Sequence, residues 1–264
     1  MTTIVVTGAA GRVGRAVRAA LREVAGRLVL VDRVPLTAED PVEAVRQADL
    51  TSLDDVREIV AGAGTVVHLA GIPDEAPMAD LLLANVLGTQ QVLEAARLEG
   101  VGRVVLAGSN RMTGYYPVKR TLGPDVAARP DGLYGASKAA VEAVARVYAD
   151  KFGLEVVSLR IGSLEDEPQN ARHLATWLSP RDCAGFFADA VTGDYPGFTA
   201  AYAVSANTRR FWELTAGYTP VDDAEAFAGR FDGIDEYFAD GVPQGGEFAG
   251  PGYTLRNGRL TASS

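Results

Sequence analysis

A tyrosine and a lysine four residues apart are the most informative pair in the sequence. Tyr134 and Lys138 open an Ala-rich stretch without proline, so in a helix the two side chains lie on one face. An isolated tyrosine has a pKa of about 10, too high for a base at neutral pH, but neighbouring positive charge stabilises its phenolate. The pair therefore predicts a proton-transfer site with Tyr134 as the base.

A second pair has the same spacing but a different context. Pro117 lies between Tyr115 and Lys119, and proline disfavours a helix through the residue before it. These two side chains are therefore not expected to share a helix face. With nine tyrosines and three lysines in 264 residues, about 0.1 such pairs arise by chance, so the helical pair is specific.

Ser109 is the third candidate catalytic residue. It follows the apolar run 104–107, which is typical of a buried strand. Ligands of open α/β folds bind at the carboxyl ends of the strands, where this hydroxyl can hold the reacting oxygen of a substrate. We therefore expect Ser109, Tyr134 and Lys138 to form one catalytic group.

A glycine pattern, GxxGxxG, follows the first apolar run of the chain. Gly8 permits a tight turn, Gly11 lets the backbone approach a pyrophosphate, and Gly14 lets the next helix pack closely on the strand. The amino terminus of that helix faces the anion. This arrangement predicts a dinucleotide site. Further contacts are expected from Ala10, Arg12 and Val13.

An acidic residue indicates which dinucleotide binds. Asp32 ends the second apolar run, 18 residues beyond Gly14, where a carboxylate accepts hydrogen bonds from both ribose hydroxyls and repels a 2′-phosphate. NAD is therefore expected rather than NADP, although the cation of Arg33 softens the preference. Asp49 and Leu50 are expected near the adenine.

Short β-branched runs alternate with longer amphipathic stretches through the first 160 residues. The runs lie at 4–6, 28–31, 66–69, 104–107 and 156–159, with 44–49 a candidate for one more strand. Helices are predicted at 12–25, 53–62, 79–99 and 134–152. The runs are apolar on both faces, as strands covered by helices on both sides must be. Right-handed crossovers then give a doubly wound parallel sheet of the Rossmann type, an α/β fold.

After Gly162 the order of elements changes to a small α/β lobe. Ser179, Pro180 and an acid in the first turn are typical of a helix start and predict a helix to about Val191. A strand is predicted over 198–204, short helices over 208–216 and 222–230, and an extended surface tail over the last 20 residues. We expect one compact unit, with a dinucleotide-binding core at 1–160 and a substrate-binding lobe with the tail at 161–264.

The composition excludes several classes of protein. Asp and Glu number 34 against 25 Lys and Arg, and the net charge of −9 repels nucleic acid and anionic lipid. No apolar run approaches the roughly 20 residues of a membrane-spanning helix. One cysteine, Cys183, and two histidines cannot build a disulfide or a structural zinc site. His68 and His173 are expected to be structural rather than catalytic. We expect a cytoplasmic protein without metal, membrane or nucleic-acid partners.

Together these motifs resemble the extended short-chain dehydrogenase/reductases. The shared features are the glycine pattern, HLAG at 68–71, NVLGT at 85–89, Ser109 and the YxxxK pair. Within that superfamily, longer stretches resemble the uronate dehydrogenase family. They lie at 108–110, 114–117, 122–125, 129–135, 160–163 and 167–177. The resemblance covers nearly the whole chain.

That resemblance implies oxidation of the anomeric carbon of galacturonate or glucuronate with NAD, which releases an aldarolactone. It implies Tyr134 as the base, Lys138 as the anchor of the cofactor ribose and Ser109 as the group that polarises the reacting hydroxyl. Residues implied to line the sugar site are Asn110, Ser163 and Arg172, and we expect Arg111 beside them. Those implied near the cofactor are Leu69, Ala70, Gly71, Ile161 and Asn85, of which Asn85 matches the family's structural asparagine. A guanidinium fork suits a carboxylate, which independently supports Arg172 as the partner of the substrate carboxylate.

The chain departs from the family at two places. Arg111 stands where a histidine is expected, and the segment 71–74 lacks an expected serine. Arg111 either supplies a second cation for the carboxylate or narrows the pocket against one C4 epimer. The resemblance also implies a homo-oligomer in which the helices 79–99 and 134–152 form a dimer bundle.

Two other functions share some of these features. A nucleotide-sugar epimerase or dehydratase uses the same tyrosine and lysine, but it needs a larger carboxyl-terminal lobe than the roughly 100 residues that follow the last run. A non-catalytic NAD(P)-sensing protein has no need of an intact Ser109, Tyr134 and Lys138. Oxidation of a uronate is therefore the leading hypothesis.

Overall fold

A computed structural model describes residues 2–50 and 52–258, and its centre is a parallel sheet. In chain order the strands are β1 (Thr3–Thr7), β2 (Arg27–Asp32), β3 (Glu43–Gln47), β4 (Thr65–His68), β5 (Arg103–Ser109), β6 (Glu155–Ile161), β7 (Ser163–Leu164), β8 (Trp177–Leu178) and β9 (Phe198–Ala203). Strands β7 and β8 pair with each other, and the other seven form one sheet in the order β3-β2-β1-β4-β5-β6-β9. This order confirms the predicted doubly wound fold, and β3 confirms the candidate strand at 44–49.

Helices connect the strands. They are α1 (Arg12–Val24), α2 (Leu53–Val60), α3 (Met78–Leu81), α4 (Gly88–Leu98), α5 (Leu133–Phe152), α6 (His173–Thr176), α7 (Pro180–Thr192), α8 (Ile234–Tyr237) and α9 (Pro251–Asn257). A π-helical segment, Leu82–Leu87, joins α3 to α4, and 3-10 helices lie at Asn110–Thr113, Ala224–Arg230 and Gly246–Ala249. Within residues 2–50 and 52–258, no helix is long and apolar enough to cross a membrane.

Two apolar layers hold the helices on the sheet. Leu21 of α1 and Phe186 of α7 pack on one face, in the same cluster as Ile4 and Leu28 of the strands. Leu93 of α4 lies in the cluster on the other face, with residues from α2 and α5. Because both faces are covered, the central strands are apolar on both sides, as the sequence predicted. The sheet is therefore a rigid base for the loops at its carboxyl edge.

The helix predicted over 208–216 is wrong. This segment is extended around Trp212, and the backbone of Leu122 accepts an N–H from Glu213 at 3.0 Å and donates to Phe211 at 2.9 Å. Phe211 and Trp212 are both buried although they are adjacent, which one helix face cannot achieve. The predicted helix at 222–230 is a 3-10 helix that begins at Ala224.

The extended tail predicted over the last 20 residues is also wrong for its described part. Residues 246–257 form a 3-10 helix followed by α9, and residues 259–264 lie outside the described part of the chain. The Tyr115 hydroxyl donates a hydrogen bond to the Ala249 carbonyl at 2.7 Å, and the Tyr253 hydroxyl donates to Asp74, also at 2.7 Å. These bonds fix the C-terminal segment, residues 246–257, beside the carboxyl edge of the sheet.

Candidate active site

Two adjoining clefts open at the carboxyl edge of the sheet. The first cleft, about 810 Å³, is lined by the ends of β1, β2 and β4 and by the π-helical segment. The second cleft, about 610 Å³, is lined by the ends of β5 and β6 and by the start of α5. Residues that line both are Gly8, Gly11, Leu69, Gly71 and Ile72. The two clefts are therefore continuous through the glycine turn and the loop after β4.

Nearly all the site residues predicted from the sequence line these clefts. The first cleft contains Gly8, Ala10, Gly11, Asp32, Asp49, Leu50, Leu69, Ala70 and Gly71. The second contains Arg12, Val13, Gly14, Ser109, Asn110, Arg111, Tyr134, Lys138, Ile161, Ser163 and Arg172. The exception is Asn85, which is buried and is not among the described lining residues.

The glycine turn has the shape of a phosphate cradle. Gly8 has a φ of 72°, and a Cβ on it would lie 2.5 Å from the backbone nitrogen of Ala70. A Cβ on Gly14 would overlap the backbone of Ala9. Gly11 precedes α1 and has no side chain to cap it, so the first N–H groups of the helix can bind an anion that enters the cleft. A dinucleotide pyrophosphate fits this cradle.

Asp32 lies at the end of β2 and faces the first cleft. One carboxylate oxygen accepts the N–H of Ala10 at 2.9 Å, and the other accepts that of Val34 at 3.1 Å. Each oxygen keeps a further lone pair for a ligand hydroxyl. Asp32 thus ties the glycine turn to β2 and presents negative charge to the cleft. Asp49 and Leu50 lie on the same wall.

The first cleft also has an apolar wall that the motifs in the sequence did not predict. Leu83 and Leu87, in the π-helical segment, are 67% and 51% exposed and line the cleft, as does Val34 at 52%. A flat apolar ligand such as adenine covers such side chains well. The available signal was the run 81–83, because three consecutive leucines in a helix cannot all face the core.

Asn85 lies beneath the clefts and bonds the loop that lines them, as a structural asparagine does. Its side-chain oxygen accepts the N–H of Ile72 at 2.7 Å, and its amide donates to the Ile72 carbonyl and to the Ser137 hydroxyl, each at 3.1 Å. The π-helical turn carries Asn85 inward to this position, a common role of such turns at functional sites. Asn85 therefore fixes the loop that lines both clefts.

The three predicted catalytic residues meet in the second cleft. The Lys138 ammonium lies 5.8 Å from the centre of the Tyr134 ring and donates to the Ala107 carbonyl at 2.9 Å. Burial raises the pKa of Tyr134 to about 12, while a hydrogen bond with Ser109 and the charge of Arg111 act in the opposite direction. Burial lowers the pKa of Lys138 to about 8. The phenol is therefore placed for proton transfer and needs positive charge beside it to ionise.

The competing pair lies outside any described helix. Tyr115 and Lys119 fall in the loop between the 3-10 helix 110–113 and α5, where Pro117 forms an isolated bridge with Pro243. The two residues cannot act as a helical pair there, which agrees with the argument from Pro117.

Arg172 is a buried cation that faces the second cleft. Its Nε donates to the Gln244 carbonyl at 3.0 Å, and its Nη1 donates to the Ser163 hydroxyl at 3.0 Å. Within the described residues, no carboxylate lies within 4.0 Å of this guanidinium. Burial lowers the pKa of Arg172, and the charges of Asp131 and Glu247 offset this effect only in part. Arg172 is therefore suited to bind a ligand carboxylate.

Arg111 lines the same cleft, but carboxylates of the protein already bind its guanidinium. The guanidinium contacts three carboxylates, those of Asp131 and Asp74 at 2.7 Å and that of Glu75 at 3.3 Å. Of its two predicted roles, the second cation for a substrate carboxylate is therefore disfavoured. The remaining role is to shape the pocket.

Neither histidine is a candidate for proton transfer. His68 is buried between the hydroxyls of Thr7 and Thr89, at 2.7 and 3.1 Å, and burial lowers its pKa to about 3. His173 borders the second cleft, and burial lowers its pKa to about 4. Both are neutral near pH 7, so they hold structure.

Comparisons with known proteins agree with this geometry. Residues 4–180 match the model of the NAD dependent epimerase/dehydratase family. The chain is 43% identical to a uronate dehydrogenase of Agrobacterium fabrum over 86% of this chain and 87% of the relative. A structure of uronate dehydrogenase from Agrobacterium tumefaciens, a tyrosine-to-alanine variant complexed with NAD, superposes with a TM-score of 0.85 at 40% identity, covering 94% of this chain and 97% of that one. A glucuronic acid dehydrogenase from Chromohalobacter salexigens gives a TM-score of 0.88 at 36% identity, covering 96% and 98%.

Proposed function

The chain belongs to the NAD dependent epimerase/dehydratase family, and we propose that it oxidises a hexuronate, D-galacturonate or D-glucuronate, at C1 to the aldarolactone. The observation that carries this proposal is the position of Arg172. A buried cation without a carboxylate partner among the described residues faces the same cleft as Ser109, Tyr134 and Lys138. The site therefore combines proton transfer with recognition of an anionic sugar.

NAD is the cofactor, and the first cleft offers a group for each of its parts. The start of α1 would hold the pyrophosphate, Asp32 would accept the hydroxyls of the adenosine ribose, and Leu83 and Leu87 would cover the adenine. The carboxylate of Asp32 repels the 2′-phosphate of NADP. When bound, NAD supplies the hydride acceptor and the positive charge of its nicotinamide ring.

The protein's part in the reaction is to hold the sugar and remove a proton. Ser109 fixes the C1 hydroxyl, and the Tyr134 phenolate accepts its proton as the C1 hydrogen leaves with its electron pair. The C1–O bond becomes the carbonyl of the lactone. Lys138 holds the cofactor ribose and adds positive charge beside Tyr134. Each proton and electron pair thus has a defined acceptor.

The substrate carboxylate is assigned to Arg172. Ser163 and the Gln244 carbonyl hold two of its nitrogens and thereby fix the plane of the guanidinium. A carboxylate that faces this plane forms charge-assisted hydrogen bonds, which are stronger than bonds to a neutral sugar hydroxyl. We therefore expect Arg172 to make the enzyme prefer uronates to neutral aldoses.

Exposed apolar side chains on two helices suit contacts between copies of the chain. Leu98, Val147 and Phe152, on the adjacent helices α4 and α5, are 42%, 45% and 53% exposed. We propose that these exposed apolar side chains of α4 and α5 join copies of the chain into a homo-oligomer, which light scattering of the purified protein tests. We also propose the cytoplasm as its location, because the reaction consumes NAD; cell fractionation tests this point.

A panel of substrates tests the proposed reaction. Galacturonate, glucuronate, galactose, glucose and UDP-glucose are each offered with NAD and with NADP, and the absorbance of the reduced cofactor is followed. We expect reduction of NAD with the two uronates and little with the neutral or nucleotide sugars. Net turnover of UDP-glucose instead would favour a nucleotide-sugar enzyme, and no turnover with any sugar would favour a binding protein.

A further inference from the structure

Arg111 lies beside two of the proposed catalytic residues, Ser109 and Tyr134. Its backbone N–H donates to the Ser109 hydroxyl at 3.2 Å, because it lies in the 3-10 helix directly after β5. The centre of its guanidinium lies 5.4 Å from the centre of the Tyr134 ring and 4.3 Å from that of Phe248. The residue is only 6% exposed, so water screens its charge weakly.

Three carboxylates from two loops hold this guanidinium in place. Asp74 and Glu75 follow β4, and Asp131 precedes α5. Glu75 also accepts the backbone N–H groups of Leu133 and Tyr134, at 2.7 and 3.1 Å. One buried carboxylate thus binds Arg111 and caps the first turn of α5, so the position of Arg111 is tied to that of Tyr134.

We propose that Arg111 is a positioning residue that holds a fixed positive charge against the Tyr134 ring and so favours its phenolate, with Asp74 as the opposing charge. This inference rests on the proposed role of Tyr134 as the base. It gives a buried arginine, whose charge is not available to a substrate carboxylate, an electrostatic role in proton transfer.

The charges around Tyr134 act on its pKa in opposite directions. The titratable and hydroxyl groups that face this phenol or its backbone are Arg111, Lys138, Asp74, Glu75, Asp131 and Ser109. Arg111 lowers the pKa of Tyr134, whereas the charges of Asp74 and Asp131 raise it. Asp74 is the member that can be changed with least risk to folding, because its side chain is 55% exposed.

Removing the two charges should therefore move the proton transfer in opposite directions. Arg111→Gln should shift the acidic limb of the kcat profile to higher pH and lower kcat at about pH 6 by roughly three- to tenfold. Asp74→Asn should shift the limb to lower pH and raise kcat at about pH 6, relative to its maximum, by a few fold. Arg111→Lys keeps the positive charge, so the acidic limb of its kcat profile should lie close to that of the wild type.

The experiment measures kcat against pH for the wild type and these three variants at saturating NAD and uronate. Opposite shifts of the limb, with recovery in Arg111→Lys, support the proposal. A merely structural role lowers kcat in every variant and leaves the limb in place, which overturns it. If Arg111→Gln fails to fold, the downward shift in Asp74→Asn remains the deciding result.

A titration that needs no turnover separates this proposal from the proposed reaction. The ultraviolet absorbance of tyrosinate is followed against pH with NAD present, and Tyr134 is isolated by subtracting the same variant with Tyr134→Phe. We expect the midpoint to fall in Asp74→Asn and to rise in Arg111→Gln. If no uronate is oxidised but these midpoints move, the reaction is wrong and the role of Arg111 stands; if uronates are oxidised and the midpoints stay fixed, Arg111 has no such role.

Discussion

Among single residues, Tyr134 is the one whose change separates chemistry from binding. Tyr134→Phe deletes the proton acceptor but keeps the ring that lies beside Arg111 and Lys138. We expect kcat to fall by about a hundred- to ten-thousandfold, the usual contribution of a general base, with the Kd for NAD nearly unchanged. Steady-state kinetics and a fluorescence titration with NAD measure the two quantities.

The matched control is Tyr148→Phe, in the same helix. The Tyr148 hydroxyl accepts a hydrogen bond from Gln90 at 2.8 Å and lies outside both clefts as described. This variant should keep its activity. Substantial turnover in Tyr134→Phe would show that another group accepts the proton.

Arg172 is predicted to decide between charged and neutral sugars. Arg172→Met keeps most of the side-chain volume and removes the charge-assisted fork, which is worth about 1.5–3 kcal/mol. We expect kcat/KM for galacturonate to fall by about ten- to a hundredfold, and for galactose by much less. The measurement compares both sugars with both proteins. An equal loss for the two sugars would mean that Arg172 acts only by holding Ser163 and Gln244.

Local spacing predicted part of the site and distant packing supplied the rest. Short motifs of a few residues identify Tyr134, Lys138 and the glycine turn, so the sequence alone is sufficient to place them. Phe248 reaches the second cleft because the C-terminal segment folds back across it. The partners of Arg111 lie 20 to 37 residues away on other loops, a pairing that no local pattern encodes.

At the scale of elements, burial on two faces made the central strands predictable. β1, β2, β4, β5 and β6 have apolar runs because helices cover both sides of the sheet. The stretch predicted as one helix over 79–99 contains a π-helical segment, because Asn85 turns inward to bond Ile72. The helix predicted over 208–216 does not form, because the backbone around Trp212 pairs with that of Leu122 and not within its own segment.

The junction of β1 and α1 depends on close backbone approach. In Gly14→Ala the new methyl group would overlap the backbone of Ala9, which no side-chain rotation relieves. Overpacking of this kind costs about 1–3 kcal/mol and outweighs the better helix propensity of alanine. We expect a lower Tm and weaker NAD binding, because the displaced turn is the phosphate cradle.

Gly229→Ala is the comparison for that change. A Cβ at Gly229 meets nothing within 4 Å, so the substitution should leave both the Tm and the affinity for NAD close to those of the wild type. Thermal unfolding and NAD titration are measured on both variants. Normal NAD binding in Gly14→Ala would mean that α1 can shift without disturbing the cradle.

At the scale of the whole molecule, the two clefts are lined by residues from different parts of the sequence. Described residues that line the first cleft lie between 7 and 91, so the part of the proposed cofactor site for the adenosine and the pyrophosphate lies within the first half of the sheet. The second cleft gathers residues from Gly8 to Phe248. Substrate binding therefore depends on the folding of the whole chain, whereas most of the contacts proposed for NAD come from its amino-terminal half.

Removing the C-terminal segment should weaken substrate binding and leave NAD binding nearly unchanged. A chain that ends at Gly245 keeps Gln244, and with it a bond to Arg172, but loses Phe248 and the Tyr253 bond to Asp74. Water then enters the second cleft and weakens the electrostatic contacts there. We expect kcat/KM for galacturonate to fall by about a hundredfold or more, with the Kd for NAD changed by about twofold at most. The comparison is a chain that ends at Gly258 and keeps every contact described here; it should remain active. Loss of NAD binding together with activity in the shorter chain would show that the two clefts fold as one unit.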